Sequence, residues 1–173
     1  MFEKFFPSEY YESAYAIDYE RLYKDGYRAI IYDIDNTLVP HGAPADERAL
    51  ALMDRLKGLG FDITFLSNND SKRVDMFNEK INAHTIPKAG KPKMKMYIKA
   101  MVDMGSDCRN TIFVGDQIFT DIWGAKQADI RSFLVKPIDT DTDEIQIVFK
   151  RKLEKIVLKQ FLKGHKLMGR EGE

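Results

Sequence analysis

The chain has 173 residues, 27 of them basic and 27 acidic, so its zero net charge singles out no polyanionic or polycationic partner. A hydrophobic share of 44% and a charged share of 31% describe a globular domain, and the length suits one domain over residues 1–173. One cysteine, Cys108, excludes an internal disulfide and fits a reducing, cytoplasmic setting, and no run of about 18 apolar residues is present to span a membrane.

Residues 1–26 are rich in aromatics, among them Phe2, Phe5, Phe6, Tyr10, Tyr11, Tyr15, Tyr19 and Tyr23. They lack the continuous apolar stretch and cleavage signal of a secretory peptide. With Ser8 or Ser13 as cap and Gly26 as stop, a helix running into Leu22 and lying across the domain is predicted. The alternative is an interfacial surface, because Tyr and Phe suit half-wet boundaries.

Ala29-Ile30-Ile31-Tyr32 reads as a buried strand that ends in Asp33 and Asp35. Side chains two apart on a strand share a face, and two carboxylates about 4 Å apart repel by roughly 4 kcal/mol at an effective dielectric near 20. Such a pair at the end of a core strand implies a cation or a shared proton, where a bare Asp-x-Asp read alone is as readily a solvated turn. A calcium loop counted from Asp33 needs Gly sixth and Glu twelfth. Leu38 and Pro44 stand there, so that reading fails.

A helix follows over 45–59, with Leu50, Leu52, Met53, Leu56 and Leu59 as its stripe and Gly58 and Gly60 at its end. Phe61–Leu66 is a second strand, finishing in Ser67, Asn68, Asn69 and Asp70. A short helix over 71–80 leads to a third strand, Ala83–Ile86. The next helix is expected to open at Lys91-Pro92 and to bury Met94, Tyr97, Ile98, Met101 and Val102. Thr111–Val114 is a fourth strand ending in Gly115-Asp116-Gln117. A helix over about 119–128, a fifth strand Arg131–Val135 and an amphipathic helix from about Glu144 to Leu162 complete the chain. This alternation predicts an α/β fold, a Rossmann-like three-layer αβα sandwich with a mainly parallel sheet of about five strands.

Asp33 and Asp35, Ser67, and Asp116 lie at three strand ends. In open α/β sheets, ligands sit beyond the carboxyl ends of the strands. If the opening strand is central, with the second and fourth beside it, these groups converge on one crevice. Taken singly, Ser67 is more readily a helix cap, and Asp116 and Asp121 turn or cap residues. Lys91 has Lys88 and Lys93 as rivals for any phosphate nearby.

Asp33-x-Asp35-x-Thr37, Ser67, Lys91-Pro92 and Gly115-Asp116-x-x-x-x-Asp121 together resemble the four motifs of the haloacid dehalogenase superfamily of phosphatases. The likeness covers most of residues 27–137. The Asp-Asn-Thr-Leu-Val form, the Lys-Pro pair and the Gly-Asp-Gln-x-x-Thr-Asp run are most similar to subclass IIIA, particularly the YqeG family, which is similar to phosphatases acting on phosphatidylglycerophosphate.

The resemblance implies roles. Asp33 is the expected nucleophile, forming an aspartyl-phosphate, and Asp35 the general acid and then base. Thr37 steadies the loop, while Ser67, Asn68 and Lys91 hold phosphate. Mg²⁺ is expected on Asp33, Asp116 and the backbone carbonyl of Asp35, with Asp121 orienting the metal or Lys91. The intervals from Asp35 to Ser67 and from Ser67 to Lys91 leave no room for an inserted cap domain. The site is therefore expected to be nearly capless, open to a large substrate or roofed by a second copy of the chain.

In the last segment, 143–170, Lys150, Arg151, Lys152, Lys155, Lys159, Lys163, Lys166 and Arg170 are opposed mainly by Glu154 and Glu171. A docked helix with a solvated basic face is the first reading, and peripheral contact with an anionic membrane at its inner, cytoplasmic face the second. No nucleic-acid-binding module accompanies the charges. Expectation thus centres on a Mg²⁺-dependent phosphomonoesterase with a phospholipid headgroup as leading substrate. The alternatives are a soluble sugar phosphate or nucleotide, or a non-catalytic assembly or RNA-associated protein on the same fold.

Overall fold

A computed structural model describes residues 2–141, 143 and 145–169. Glu144, Arg170 and Glu171, counted above with the last helix, lie outside the described residues. Among the described residues seven strands form one sheet: β1 (Glu9–Tyr11), β2 (Ala29–Tyr32), β3 (Asp62–Leu66), β4 (His84–Ile86), β5 (Thr111–Gly115), β6 (Arg131–Val135) and β7 (Leu167–Met168). Their order is β4-β3-β2-β5-β6-β1-β7, and every pairing is parallel.

The helices are α1 (Tyr19–Lys24), α2 (Glu47–Leu59), α3 (Ser71–Asn78), α4 (Lys95–Asp103), α5 (Trp123–Gln127) and α6 (Ile145–Phe161). The two-residue alternation of β2 divides the core. Ile30 and Tyr32 join Leu52, Met53, Leu56, Val74 and Phe77 of α2 and α3 on one face, whereas Ala29 and Ile31 join Tyr97, Ala100 and Met101 of α4 on the other. A third cluster, with Tyr10, Ile118, Ile122 and Leu134, lies beneath Val157 and Phe161 of α6.

Five strands were expected, and β1 and β7 extend them at one edge. The N-terminal segment is not the long helix its caps suggested. Glu9–Tyr11 pairs with β6, short 3-10 turns flank it at Glu3–Phe5 and Ala14–Ala16, and the α-helix begins at Tyr19, where Asp18 accepts the Arg21 amide at 2.9 Å. The reason is burial: as a strand, Tyr10 and Tyr11 put their rings on opposite faces of the sheet, each into a core cluster. Phe5 likewise packs edge-on against Phe119 and Trp123, and Phe6 against Phe161.

α4 also differs from expectation. It starts at Lys95, not at Lys91, and buries Tyr97, Ala100 and Met101, leaving Met94, Ile98 and Val102 exposed. Two apolar stripes run along this helix, and the one containing the small Ala100 allows closer approach to the sheet. After β5, the expected helix opens with a wider π turn, Ile118–Ile122, before α5.

Candidate active site

β2 lies between β3 and β5, with Tyr32 in register with Phe65 and with Val114. Asp33 follows Tyr32 directly, while Ser67 and Asp116 stand one residue further along, after Leu66 and Gly115, so all three leave the sheet at its carboxyl edge within one residue of a common level. All three are nearly inaccessible, as are Thr37, Lys91 and Asp121.

The charged centre is tightly joined. Lys91 Nζ donates to Asp33 Oδ1 at 2.6 Å and to Asp121 Oδ1 at 2.7 Å. The Thr37 hydroxyl lies 3.2 Å from Asp33 Oδ2 and 3.3 Å from Asp116 Oδ1, so these two carboxylate oxygens face one another across it. Burial pushes the Asp33 carboxyl up, Lys91 opposing and Asp121 and Asp116 adding to the rise. Burial and Asp121 push Asp116 up as well, against Arg151. Burial alone would depress Lys91, but Asp121 and Asp33 outweigh it and keep the ammonium protonated.

Gly115 explains the close approach of Asp121. A Cβ on Gly115 would stand 2.6 Å from Asp121 Oδ2, inside any real contact distance. Asp121 Oδ2 also accepts the Gln117 amide at 3.1 Å, which holds the carboxylate beneath Lys91.

Asp33, Asp116 and Asp121 each offer an oxygen within 4.8 Å of the others. Four carboxylates here (Asp33, Asp116, Asp121 and Asp143) meet two cations, Lys91 and Arg151. An all-oxygen set of this kind suits a hard cation such as Mg²⁺, so the residues fit the expected metal.

Lys91 is the lysine that enters the site, while Lys88 and Lys93 are exposed. Asn68, expected among the phosphate ligands, uses its amide on the Lys91 backbone, accepting from the amide at 2.7 Å and donating to the carbonyl at 3.3 Å. Ser67 Oγ accepts the Asn69 amide at 3.1 Å, and the cap of α3 is Asp70, not Ser67.

Asp35 stands apart from the carboxylate cluster. Its Oδ1 accepts from the Gly42 amide at 2.7 Å and from Arg73 NH2 at 2.9 Å, and its Oδ2 from Asn69 at 2.7 Å. Burial works against ionisation, yet the Gly42 amide and Arg73 guanidinium hold this carboxyl below its usual range.

These groups open onto a cavity of about 240 Å³ lined by Asp33, Asp35, His41, Ser67, Asn68, Asn69, Lys91, Gln117 and Thr120, and by Ile147 and Lys150 of α6. No domain is inserted between the motifs, but the site is not bare, because the C-terminal helix forms part of its wall. A larger cavity, about 530 Å³, opens by Gly60, Asp62 and His84 at the opposite ends of the strands and holds no comparable cluster.

Sequence reasoning missed Arg73 and Arg151. Arg73 sits three residues after a helix cap, an unremarkable surface position, and Arg151 was read as part of a solvated basic face. Arg151 instead turns inward, donating to Asp116 Oδ2 at 2.7 Å and to Asp143. Glu154, one turn later, is also buried and accepts the Phe119 amide at 3.1 Å.

The family model described as HAD-hydrolase-like matches residues 88–162. A crystal structure of an uncharacterized protein from Listeria monocytogenes serotype 4b superposes with a TM-score of 0.52 at 16% identity, over 76% of this chain and 99% of that one. A putative HAD family hydrolase from Streptomyces avermitilis MA-4680 superposes with a TM-score of 0.51 at 12% identity, over 65% and 83%. At such identities the two structures speak for the fold alone. The probable phosphatase YqeG of Bacillus subtilis (strain 168) is 33% identical over 168 residues, 95% of this chain and 97% of the relative. Matched along nearly the whole length of that relative and folded as these hydrolases fold, the chain belongs to the YqeG family of haloacid dehalogenase-like phosphatases.

Proposed function

We propose that this phosphatase hydrolyses a phosphate monoester through an aspartyl-phosphate on Asp33, with Mg²⁺ as its metal and phosphatidylglycerophosphate as leading substrate. The observation that carries the reading is the convergence on Asp33: Lys91 on one carboxylate oxygen, Thr37 and the Asp116 side on the other. Phosphoryl transfer asks mainly for positioning and for neutralisation of the equatorial oxygens, and a strand-end carboxylate between an ammonium and an acidic cluster supplies both.

In this reading Asp33 attacks phosphorus and the bond to the leaving oxygen breaks, that oxygen taking a proton from Asp35. Water then attacks the aspartyl-phosphate, gives its proton to Asp35, and releases Asp33 and inorganic phosphate. Arg73 holds Asp35 as a carboxylate, the form the second step needs, and to act as an acid Asp35 must first leave Arg73 and gain a proton. Lys91, kept in place by Asp121 and Asn68, and Ser67 face the phosphoryl oxygens. Asp33, Asp116 and the Asp35 carbonyl would hold Mg²⁺, which when bound neutralises the phosphate dianion and polarises its oxygens.

A lipid substrate is supported by α6. Its Ile147 and Lys150 line the cavity, while Ile145, Phe149 and Ile156 are exposed beside Lys152 and Lys155. An apolar strip flanked by lysines suits an anionic membrane surface, which supports a proposed site of action at the inner face of the membrane. Among the described residues no helix is long and apolar enough to cross one. Hydrolysis of an aryl phosphate with Mg²⁺ tests the chemistry. Asp33→Asn is expected to abolish it, and equal rates for the two proteins would leave only a binding role. A phosphate-ester screen with co-sedimentation on anionic vesicles tests the substrate, since a sugar-phosphate or nucleotide enzyme would remain in the supernatant.

A further inference from the structure

The two halves of α6 are held by different forces. Its buried residues, Glu154, Val157 and Phe161, all lie in the second half. In the first half, Ile145 is 88% exposed and Phe149 64%. What ties that half down is charge: Arg151 donates to Asp116 Oδ2 at 2.7 Å and to Asp143. Asp143 accepts in turn from Asn36 Nδ2 at 3.3 Å, and Asn36 lies in the loop between Asp35 and Thr37. The tether thus ends on a carboxylate of the acidic cluster, one whose side chain is fully inaccessible.

We propose that Arg151 is a built-in competitor for the divalent cation at Asp116, so that cation binding and docking of the first half of α6 oppose each other. The inference rests on the phosphatase reading, in which Asp116 is a metal residue. A guanidinium at 2.7 Å supplies positive charge to the buried Asp116 carboxylate. A divalent cation at the same carboxylate meets Arg151 as a like charge, and the repulsion weakens the Arg151 tether. Little apolar surface then holds residues 145–152 in place. Because coupling between two sites is reciprocal, anything that draws the outer face of α6 away from the domain strengthens cation binding.

The test is calorimetric titration of the full-length protein with Mg²⁺ alone, without substrate. Arg151→Met is expected to bind Mg²⁺ about tenfold more tightly than wild type, within the usual range of such couplings. Arg151→Lys, which keeps the charge, is expected to stay close to wild type. If Arg151→Met fails to fold by circular dichroism, Arg151→Gln read against Arg151→Lys gives the same comparison. Amide hydrogen exchange is the second readout: Mg²⁺ should speed exchange over residues 145–152 in wild type and leave it unchanged in Arg151→Met.

Unchanged or weaker Mg²⁺ affinity in the uncharged variants, or slower exchange in wild type on adding Mg²⁺, overturns the proposal. If that result comes with aryl-phosphate hydrolysis that still requires Asp33, the competition alone has failed. If Asp33→Asn hydrolyses as fast as wild type, the phosphatase reading has failed instead. Absence of Mg²⁺ binding in both wild type and Arg151→Met removes the competitor and the metal assignment together.

Discussion

The loops that follow β2, β3 and β5 and the helix α6 both send charged groups to the same crevice, yet they are built in opposite ways. The loops hang from three adjacent parallel strands, whose register brings Asp33, Ser67 and Asp116 out at the same carboxyl edge within one residue of a common level. Their polar groups are locked by short contacts among buried neighbours. α6 arrives from the far end of the chain, anchors its second half by apolar packing, and reaches the carboxylate cluster through Arg151. Groups that the proposed phosphoryl transfer must align stand at strand ends, and a group held mainly by charge stands where motion costs least.

The contrast can be broken most severely at its rigid end. Asp33→Asn should lower the rate of aryl-phosphate hydrolysis by at least about a thousandfold while leaving the fold intact, because in the proposed mechanism the nucleophile has no substitute. Steady-state kinetics beside a thermal melt checks both halves of that statement. Next in size is Phe161→Ala, in the apolar anchor of α6, which should cost about 3–5 kcal/mol in urea unfolding as expected for a fully buried ring.

Glu154 adds a pH dependence to the anchor. Burial, opposed by the Phe119 amide and Arg151, raises its carboxyl from 4.5 to about 7. The folded state therefore binds the proton more tightly than the unfolded chain. That contribution is complete below pH 4.5 and is lost as pH rises through 7, a change of about 3 kcal/mol. Glu154→Gln should flatten stability over this window, read from urea midpoints at pH 5 and pH 8.

Gly115→Ala sharpens the account of the loops. Its Cβ would meet the Asp121 carboxylate at 2.6 Å, so a loss of about 1–3 kcal/mol is expected, together with reduced activity as Lys91 shifts. Smallest of all, Phe149→Ala, on the exposed strip, should change stability by no more than about 0.5 kcal/mol. Its effect should show instead as weaker co-sedimentation with anionic vesicles.

Much of this was legible in the chain alone. The switch between two-residue and helical periodicity marked β2, β3, β5 and β6 nearly to the residue, because buried parallel strands are short apolar runs with polar ends. The strand-end positions of Asp33, Asp35, Ser67 and Asp116 pointed to a single crevice, and Lys91 was added to it only by the family resemblance. The end of α2 was also read from local chemistry, since Gly60 stops it with a φ of 101°, whereas its start lies two residues beyond the expected 45, after the cap Asp46.

What escaped the sequence was whatever local pattern leaves undetermined. Glu9–Tyr11 carries a strand's residue types, but three residues are too few to announce a strand, and only the open edge of β6 makes it one. α4 has two apolar stripes, and the close packing of Ala100 against the sheet decided which is buried. Arg151 looks like its basic neighbours, and Arg73 like any residue in a first helical turn. Their inward turn depends on Asp116 and Asp35, which lie 35 and 38 residues away along the chain. Periodicity and spacing are written into neighbouring residues, and so the strands and their carboxylates can be read from the chain. The pairing of a buried charge with its counter-ion is settled only when distant segments compete for the same desolvated space, and that competition exists only in the folded molecule.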